Sequence, residues 1–422
     1  MRVAVLGAGI IGVSSAWYLR AAGHEVTVIE RQPDAALETS YANGGQLSTG
    51  HVEPWATPET LPQILEWRHH ENAPLLFRLQ ADPHQWAWGL RFLRECRPAR
   101  SEHNFRQLLA LGLYSRQAHD ELRHTLNIDH QAQDGGILNL YANPEAWERG
   151  LRAAQRVEAL GYARHAVTAD QALAIEPALQ DARPHWHGAT FTPRDGSGNA
   201  RLWTQGLARA CAQRGVVFRY GTRVTALHAE GTRIQGAMLA DDVGIAALEA
   251  DVFVIALGSD SALLLRPLGL SLPLYPVKGY SVTLPLIDPA NPALRVSITD
   301  DAHKVVFTRH GDTLRVAGTA EFSGYDRSLN AVRLEALVAR TRTLFPHLVN
   351  FNHVEPWCGL RPATPSNCPL IGPTRWDNLF LNTGHGTLGW TLGSGSGKAL
   401  AQLVDGQQPD VAYRFTTRDG LQ

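Results

Sequence analysis

The run Gly7-Ala-Gly9-Ile-Ile-Gly12 constrains this chain most, because of what stands on either side of it. Arg2–Leu6 (RVAVL) is a short apolar run of the kind that forms a buried parallel strand. Val13–Ala22 follows at helical spacing, and Gly23 suits the position just past a helix end. Glu25–Glu30 (EVTVIE) is β-branched and apolar, hence a second strand. Within the resulting βαβ unit each glycine has a task. One permits the tight turn, one lets backbone approach a pyrophosphate, and one allows close helix–strand packing. The turn Gly7, Ala8, Gly9 and the first helical residues Ile10 and Ile11 present N–H groups and a partial positive charge to phosphates. Glu30 lies 18 residues beyond Gly12, where a carboxylate can accept from ribose hydroxyls. The unit therefore predicts a dinucleotide site.

A nicotinamide-binding half would continue into a third strand. Here Arg31 is followed instead by a polar, glycine-containing loop, Glu38–Gln46 (ETSYANGGQ). Ser40, Asn43, Gly44, Gly45, Gln46 and Leu47 are placed to wrap an extended cofactor that ends in a flavin ring. A distant second block, TGHGTLGWT (383–391), leads into the last helix, expected from about Gly393. Its Gly384, His385, Gly386, Thr387, Leu388, Gly389 and Thr391 are cofactor candidates. A helix N-terminus there would favour a ring that gains negative charge on reduction.

Composition removes other classes. The chain has 422 residues and only 19% charged side chains, enough to bury a large core and too apolar for disorder. Lys and Arg number 39 against 40 Asp and Glu, so no basic surplus suggests nucleic acid. Four scattered cysteines, with no Cys-x-x-Cys pair, predict neither a disulfide framework nor a zinc ribbon, and fit a reducing cytoplasmic setting. No metal site is expected. No apolar run is long enough to cross a bilayer, and the residues before Gly7 leave no room for a signal peptide. Residues 51–100, rich in Trp and Pro, read as short helices; a longer helix is expected over about 101–126. Regular α/β pattern returns from Ala200, a β-rich stretch runs from Pro273 to Ala317, and the tail from Cys358 reads as a glycine-rich loop.

GAGIIG, VIER, ETSYANGGQLS, YPVKGYSVTLP, GLRPATP and NTGHGTLGWTLGSGSG, in this order, resemble the FAD-dependent D-amino acid oxidase superfamily, and most of all its bacterial dehydrogenase branch. The resemblance implies an α/β fold in which a glutathione-reductase-like, Rossmann-type FAD domain (1–50, 190–272 and 356–422) is interleaved with a substrate domain containing an antiparallel sheet (51–189 and 273–355). It implies that Arg361, in Gly-Leu-Arg-Pro, grips a substrate carboxylate over the flavin. Such a planar fork can bind bidentately. It also assigns Val224 to the adenine, Ala256, Leu257 and Gly258 to the pyrophosphate side, and Gly359 to the flavin side. Cys358 is one register away from a covalent attachment point, so non-covalent FAD is expected.

Tyr280, beside Lys278, and His51, beside Glu53, complete the catalytic candidates. Where the branch carries tyrosine and small residues, this chain has His51 and Glu53. The implied reaction is oxidative deamination of D-amino acids, with electrons passed to a quinone or other acceptor. Related possibilities are a hydroxyproline-, glycine- or sarcosine-type amine oxidase, or a flavin-binding subunit without catalysis. A peripheral contact with the inner face of the plasma membrane, through the Trp- and Arg-rich segment 54–93, belongs to the same expectation.

Overall fold

The computed structural model describes all residues except 61, 63, 65–70, 72, 421 and 422. Part of the expected Trp- and Pro-rich helical segment, Trp67 included, thus lies outside the described residues.

The opening unit forms as its sequence predicts: strand Arg2–Leu6, helix Ile10–Ala21, strand Glu25–Ile29. The two strands pair in parallel and sit inside a six-stranded sheet. Its order is Leu370–Pro373, Leu379–Thr383, Val252–Ile255, Arg2–Leu6, Glu25–Ile29, Val217–Arg219. All neighbours are parallel except at the Leu370–Pro373 edge. Because both faces of this sheet are covered, its strands are apolar on both sides. Val3 and Val5 pack with the first and last helices, and Ala4 and Leu6 pack under an antiparallel meander, 223–248.

The second sheet has nine strands among the described residues. Three consecutive neighbours at one side matter for the site: Glu355–Ala363 at the edge, then Tyr275–Pro285, then Thr313–Phe322. The edge strand corrects the expected glycine-rich loop from Cys358, and puts residues 355–363 in this second sheet. Pro356 and Pro362 obscured it, yet proline is tolerated on an edge, where no ladder partner needs its missing N–H. The helix Pro98–Thr125 also departs from the expected boundaries. It packs along the last helix and shares the core of the cofactor side, through Phe105, Leu108 and Leu109.

The last helix begins at Gly389, one turn earlier than expected, and runs to Val404. Its glycines are poor helix formers, but neighbouring backbone occupies the space their side chains would need. A Cβ at Gly395 would stand 2.5 Å from Ser115 Cα, and one at Gly397 2.6 Å from Ser14 C. Close packing of three helices therefore overrides local preference.

Candidate active site

The two sheets enclose a cavity of about 1560 Å³. At its cofactor end, two helices point uncapped N-termini inward: Ile10–Ala21, where no side chain caps Gly9, and Gly389–Val404, where none caps Leu388. Each presents a positive dipole end to an anion. Gly12 touches the Gly7 turn so closely that a Cβ would come 2.9 Å from Gly7 C. Gly9 has only Ser40 Oγ nearby, at 3.5 Å, so its inward face is open for a ligand. Ser40 Oγ in turn accepts from Ile10 N at 3.2 Å.

Glu30 is held by its own turn: Ala8 N and Gln32 N donate to its two carboxylate oxygens at 2.8 and 2.9 Å. Burial raises its pKa and the two backbone donors oppose that. Its remaining lone pairs line the cavity, as a ribose diol requires. Arg31 is bound by Glu38 and, at 2.6 Å, by Asp260, closing the wall beside the adenine end.

Gly7, Gly9, Ile10, Ile11, Glu30, Arg31, Ser40, Asn43, Gly44, Gly45 and Gln46 line this one cavity. Val224, Ala256, Leu257, Gly258, Gly359, His385, Gly386, Thr387, Leu388 and Gly389 line it too. Ala8, Gly12, Leu47, Gly384 and Thr391 do not. Ala8 and Leu47 are core, Gly12 packs on Gly7, Gly384 turns against Thr364, and Thr391 Oγ1 accepts from Ser48 N at 3.1 Å to pin the flavin loop. His385 is neutral, since burial brings its pKa down to about 3; its Nε2 meets Ser396 Oγ at 2.9 Å and its Nδ1 has no partner. Cys358 turns its sulfur away, towards the Arg327 carbonyl at 3.2 Å, and is absent from the cavity wall.

At the substrate end, Arg361 projects from the edge strand and lies across Gly279 of the next strand. A Cβ on Gly279 would stand 2.8 Å from Arg361 Nε and nearer still to Cζ. The third strand bulges here: Lys278 pairs with Glu321 and Tyr280 with Gly318, so Thr319 and Ala320 oppose Gly279 alone. A bulge re-aims backbone groups. Thr319 adopts φ +59°, rare for a β-branched residue, and its carbonyl accepts from Arg361 Nη1 at 2.6 Å. Among the described residues no carboxylate pairs with Arg361. Burial, and secondarily Arg333, lower its pKa to about 10, so the guanidinium stays charged at neutral pH. A fixed cation without an acidic partner, facing a cavity, has the chemistry to receive a carboxylate.

Tyr280 lines the cavity, but its hydroxyl donates to buried Glu321, which also faces Lys278, Arg333 and Arg78. The hydroxyl thus belongs to a structural ion network and is not free for substrate. His51 and Glu53 line the same cavity, with Arg164 and Tyr141, which no sequence motif marked. Arg164 is buried and donates to Glu53 Oε1 at 2.6 Å, Gly50 O at 3.1 Å and Tyr141 Oη at 3.0 Å.

Two helix N-termini, the Glu30 carboxylate and, among the described residues, a guanidinium with no acidic partner face one long cavity, an arrangement suited to a flavin-dependent oxidoreductase. Residues 2–403 match the DAO family of FAD-dependent oxidoreductases, and the chain belongs to that family. It is 50% identical over 416 residues to a D-amino acid dehydrogenase of Dechloromonas aromatica, covering 98% of this chain and 99% of that one. It is 49% identical over 422 residues to a D-amino acid dehydrogenase of Paramagnetospirillum magneticum, covering 100% and 98%. Among solved structures, glycine oxidase from Geobacillus kaustophilus superposes with a TM-score of 0.75 at 24% identity, over 97% of this chain and 96% of that one. L-proline dehydrogenase from P. horikoshii gives 0.74 at 17%, over 97% and 95%. These two likenesses show the shared fold.

Proposed function

We propose that this protein oxidatively deaminates D-amino acids with FAD as its cofactor. The observation that carries the reading is Arg361, a charged guanidinium without an acidic partner, fixed over Gly279 in the FAD cavity. FAD, when bound, supplies the acceptor for the Cα hydrogen and its bonding electron pair. The chain's own residues do the rest. Gly7, Gly9, Ile10 and Glu30 would hold the pyrophosphate and ribose, and the N-terminus of Gly389–Val404 would face the flavin ring. Arg361 would clamp the substrate carboxylate through two parallel hydrogen bonds, and the Thr319 carbonyl would keep the fork from turning. Orientation of this kind supplies much of the rate in an otherwise unassisted transfer. The imino acid formed is hydrolysed by water to a 2-oxo acid and ammonia.

A lipophilic quinone at a membrane surface is the acceptor this reading favours. Trp55, Leu75, Phe77 and Phe322 line the cavity together with Phe92, a buried residue of helix Pro83–Glu95. The outer face of that helix exposes Trp86 (53%), Leu90 (68%) and Leu93 (46%), beside exposed Arg91 and Arg94. An apolar stripe with basic neighbours suits anionic lipid, at the inner face of the plasma membrane. No helix among the described residues is long and apolar enough to cross a membrane.

The test is anaerobic bleaching of the bound flavin by a panel of D-, L- and N-methyl amino acids and prolines. D-amino acids should bleach it fastest, a short-chain quinone should restore the colour, and Leu90→Glu should release the protein from anionic vesicles. Bleaching by L-amino acids alone, or by none, refutes the reading.

A further inference from the structure

The reading above leaves one proton unaccounted for, and the following inference rests on that reading. An amino acid at neutral pH carries an ammonium, whose nitrogen has no lone pair with which to form a C=N bond. A proton acceptor in the cavity would free that lone pair at neutral pH. Tyr280 is engaged by Glu321, Glu30 belongs to the ribose end, and His385 is tied to Ser396 beside the last helix.

His51 remains. Its ring stands in the cavity wall with its side chain 35% exposed, while Nδ1 is buried 3.3 Å from Glu53 Oε2. Neither of those two atoms has a hydrogen-bond partner; the 3.3 Å contact between them is not yet aligned as one. Glu53 cannot swing away, because its other oxygen is held by Arg164. Arg164 is anchored in turn by the Gly50 carbonyl and Tyr141. A carboxylate facing Nδ1 selects the tautomer with hydrogen there, which leaves the lone pair on Nε2. Such contacts are often long in the absence of substrate.

We propose that His51 accepts the proton of the substrate ammonium through Nε2, with Glu53 as its positioning residue. The ammonium N–H bond breaks, its proton goes to Nε2, and its electron pair stays on nitrogen. That pair forms the C=N bond as the Cα–H bond breaks and the hydrogen leaves with its two electrons to the bound flavin. The imidazolium is stabilised by Glu53 and returns its proton to solvent.

The surrounding charges leave the ring without a proton before the transfer and make Glu53 its main support afterwards. Burial lowers the pKa of His51, Glu53 opposes it, Arg164 adds to it, and Asp301 and Lys304 act in opposite senses. His51 is therefore neutral at pH 7. Arg149, Arg152 and Arg156 line the same cavity from helix Pro144–Glu158. Burial is the largest single influence on Glu53 and resists its charge, but Arg164, His51 and a backbone hydrogen bond together outweigh it and hold the pKa at about 2.

The test uses the FAD-loaded protein, mixed anaerobically with the D-amino acid that bleaches it best, from pH 5 to 10. In the wild type, the reduction rate constant over Kd should fall along an acid limb below pH 6.5. His51→Asn should lower this ratio about 100-fold at pH 7 and move the limb up towards the pKa of the substrate ammonium. Glu53→Gln should lower the ratio less and shift the limb further to acid, because the negative charge beside the ring is gone. A readout independent of turnover is the NMR titration of the His51 ring, whose midpoint should fall in Glu53→Gln. If His51→Asn folds poorly, His51→Gln carries the same prediction. Bleaching with an unchanged pH profile in both His51 variants overturns the role of His51 and leaves the deamination reading intact. A wild-type flavin that no amino acid bleaches overturns both.

Discussion

Gly279→Ala should disable the carboxylate clamp without touching it chemically. Gly279 is a strand residue paired with Gly359 and has no left-handed backbone requirement, so alanine fits the main chain. What does not fit is the methyl, which would stand 2.8 Å from Arg361 Nε and closer to Cζ. To reach ordinary carbon contact the guanidinium must retreat by roughly 1 Å. It is the far end of a flexible side chain, so the retreat is inexpensive and the fold should survive. The Thr319 carbonyl bond, 2.6 Å in the wild type, should lengthen or break. A misplacement of that size costs on the order of 100-fold in a reaction that depends on orientation, or about 2.7 kcal/mol. Stopped-flow reduction of the flavin should show the loss in the reduction rate constant over Kd, with FAD content and melting temperature near wild type. Arg361→Ala should lose more, on the order of 1000-fold, as both charged hydrogen bonds go. Wild-type kinetics in a folded, yellow Gly279→Ala protein would show that the guanidinium's position over Gly279 does not matter. The carboxylate would then bind elsewhere.

Glu30→Gln should weaken FAD binding by about 10- to 100-fold, because an amide nitrogen would face a backbone N–H where a carboxylate oxygen accepts; titration of apoprotein with FAD reads this, and substrate Kd should not change. Gly12→Ala should give colourless or insoluble protein, since its Cβ would collide with the Gly7 backbone, which cannot move without opening the phosphate turn. Arg164→Met leaves Glu53 a buried charge without its partner, which costs about 3–5 kcal/mol; the melting temperature should fall, and Arg164→Met with Glu53→Gln should recover part of it. Glu53's depressed pKa makes the pair fully stabilising above the unfolded-state value of about 4.3, with that contribution lost as pH falls towards 2. The gap in melting temperature between wild type and Glu53→Gln should therefore be constant from pH 8 to 5 and close below pH 4.

The dinucleotide unit was legible because its causes are local. A glycine turn, an apolar strand on each side and a helix of 12 residues lie within 29 residues and need no distant partner to be inferred. Arg361 was legible only through resemblance, since no periodicity singles out one arginine. Glu355–Ala363 was misread because prolines at an edge look the same in sequence as prolines in a loop. The start of the last helix was missed because glycine's poor helix propensity says nothing of backbone pressed against it from another segment.

The residue order by itself predicted a dinucleotide site: chain chemistry within a few turns creates a helix end suited to phosphate and the carboxylate behind it. Only the tertiary structure decided what the substrate end can do. Arg361 is restrained by Thr319, 42 positions away, and Glu53 by Arg164, 111 positions away. Tyr280 loses its hydroxyl to Glu321, 41 positions away. A side chain's charge and type are written in the sequence, but its partner is chosen by which strands lie side by side. That choice separates a guanidinium free to hold a substrate from a tyrosine committed to the core.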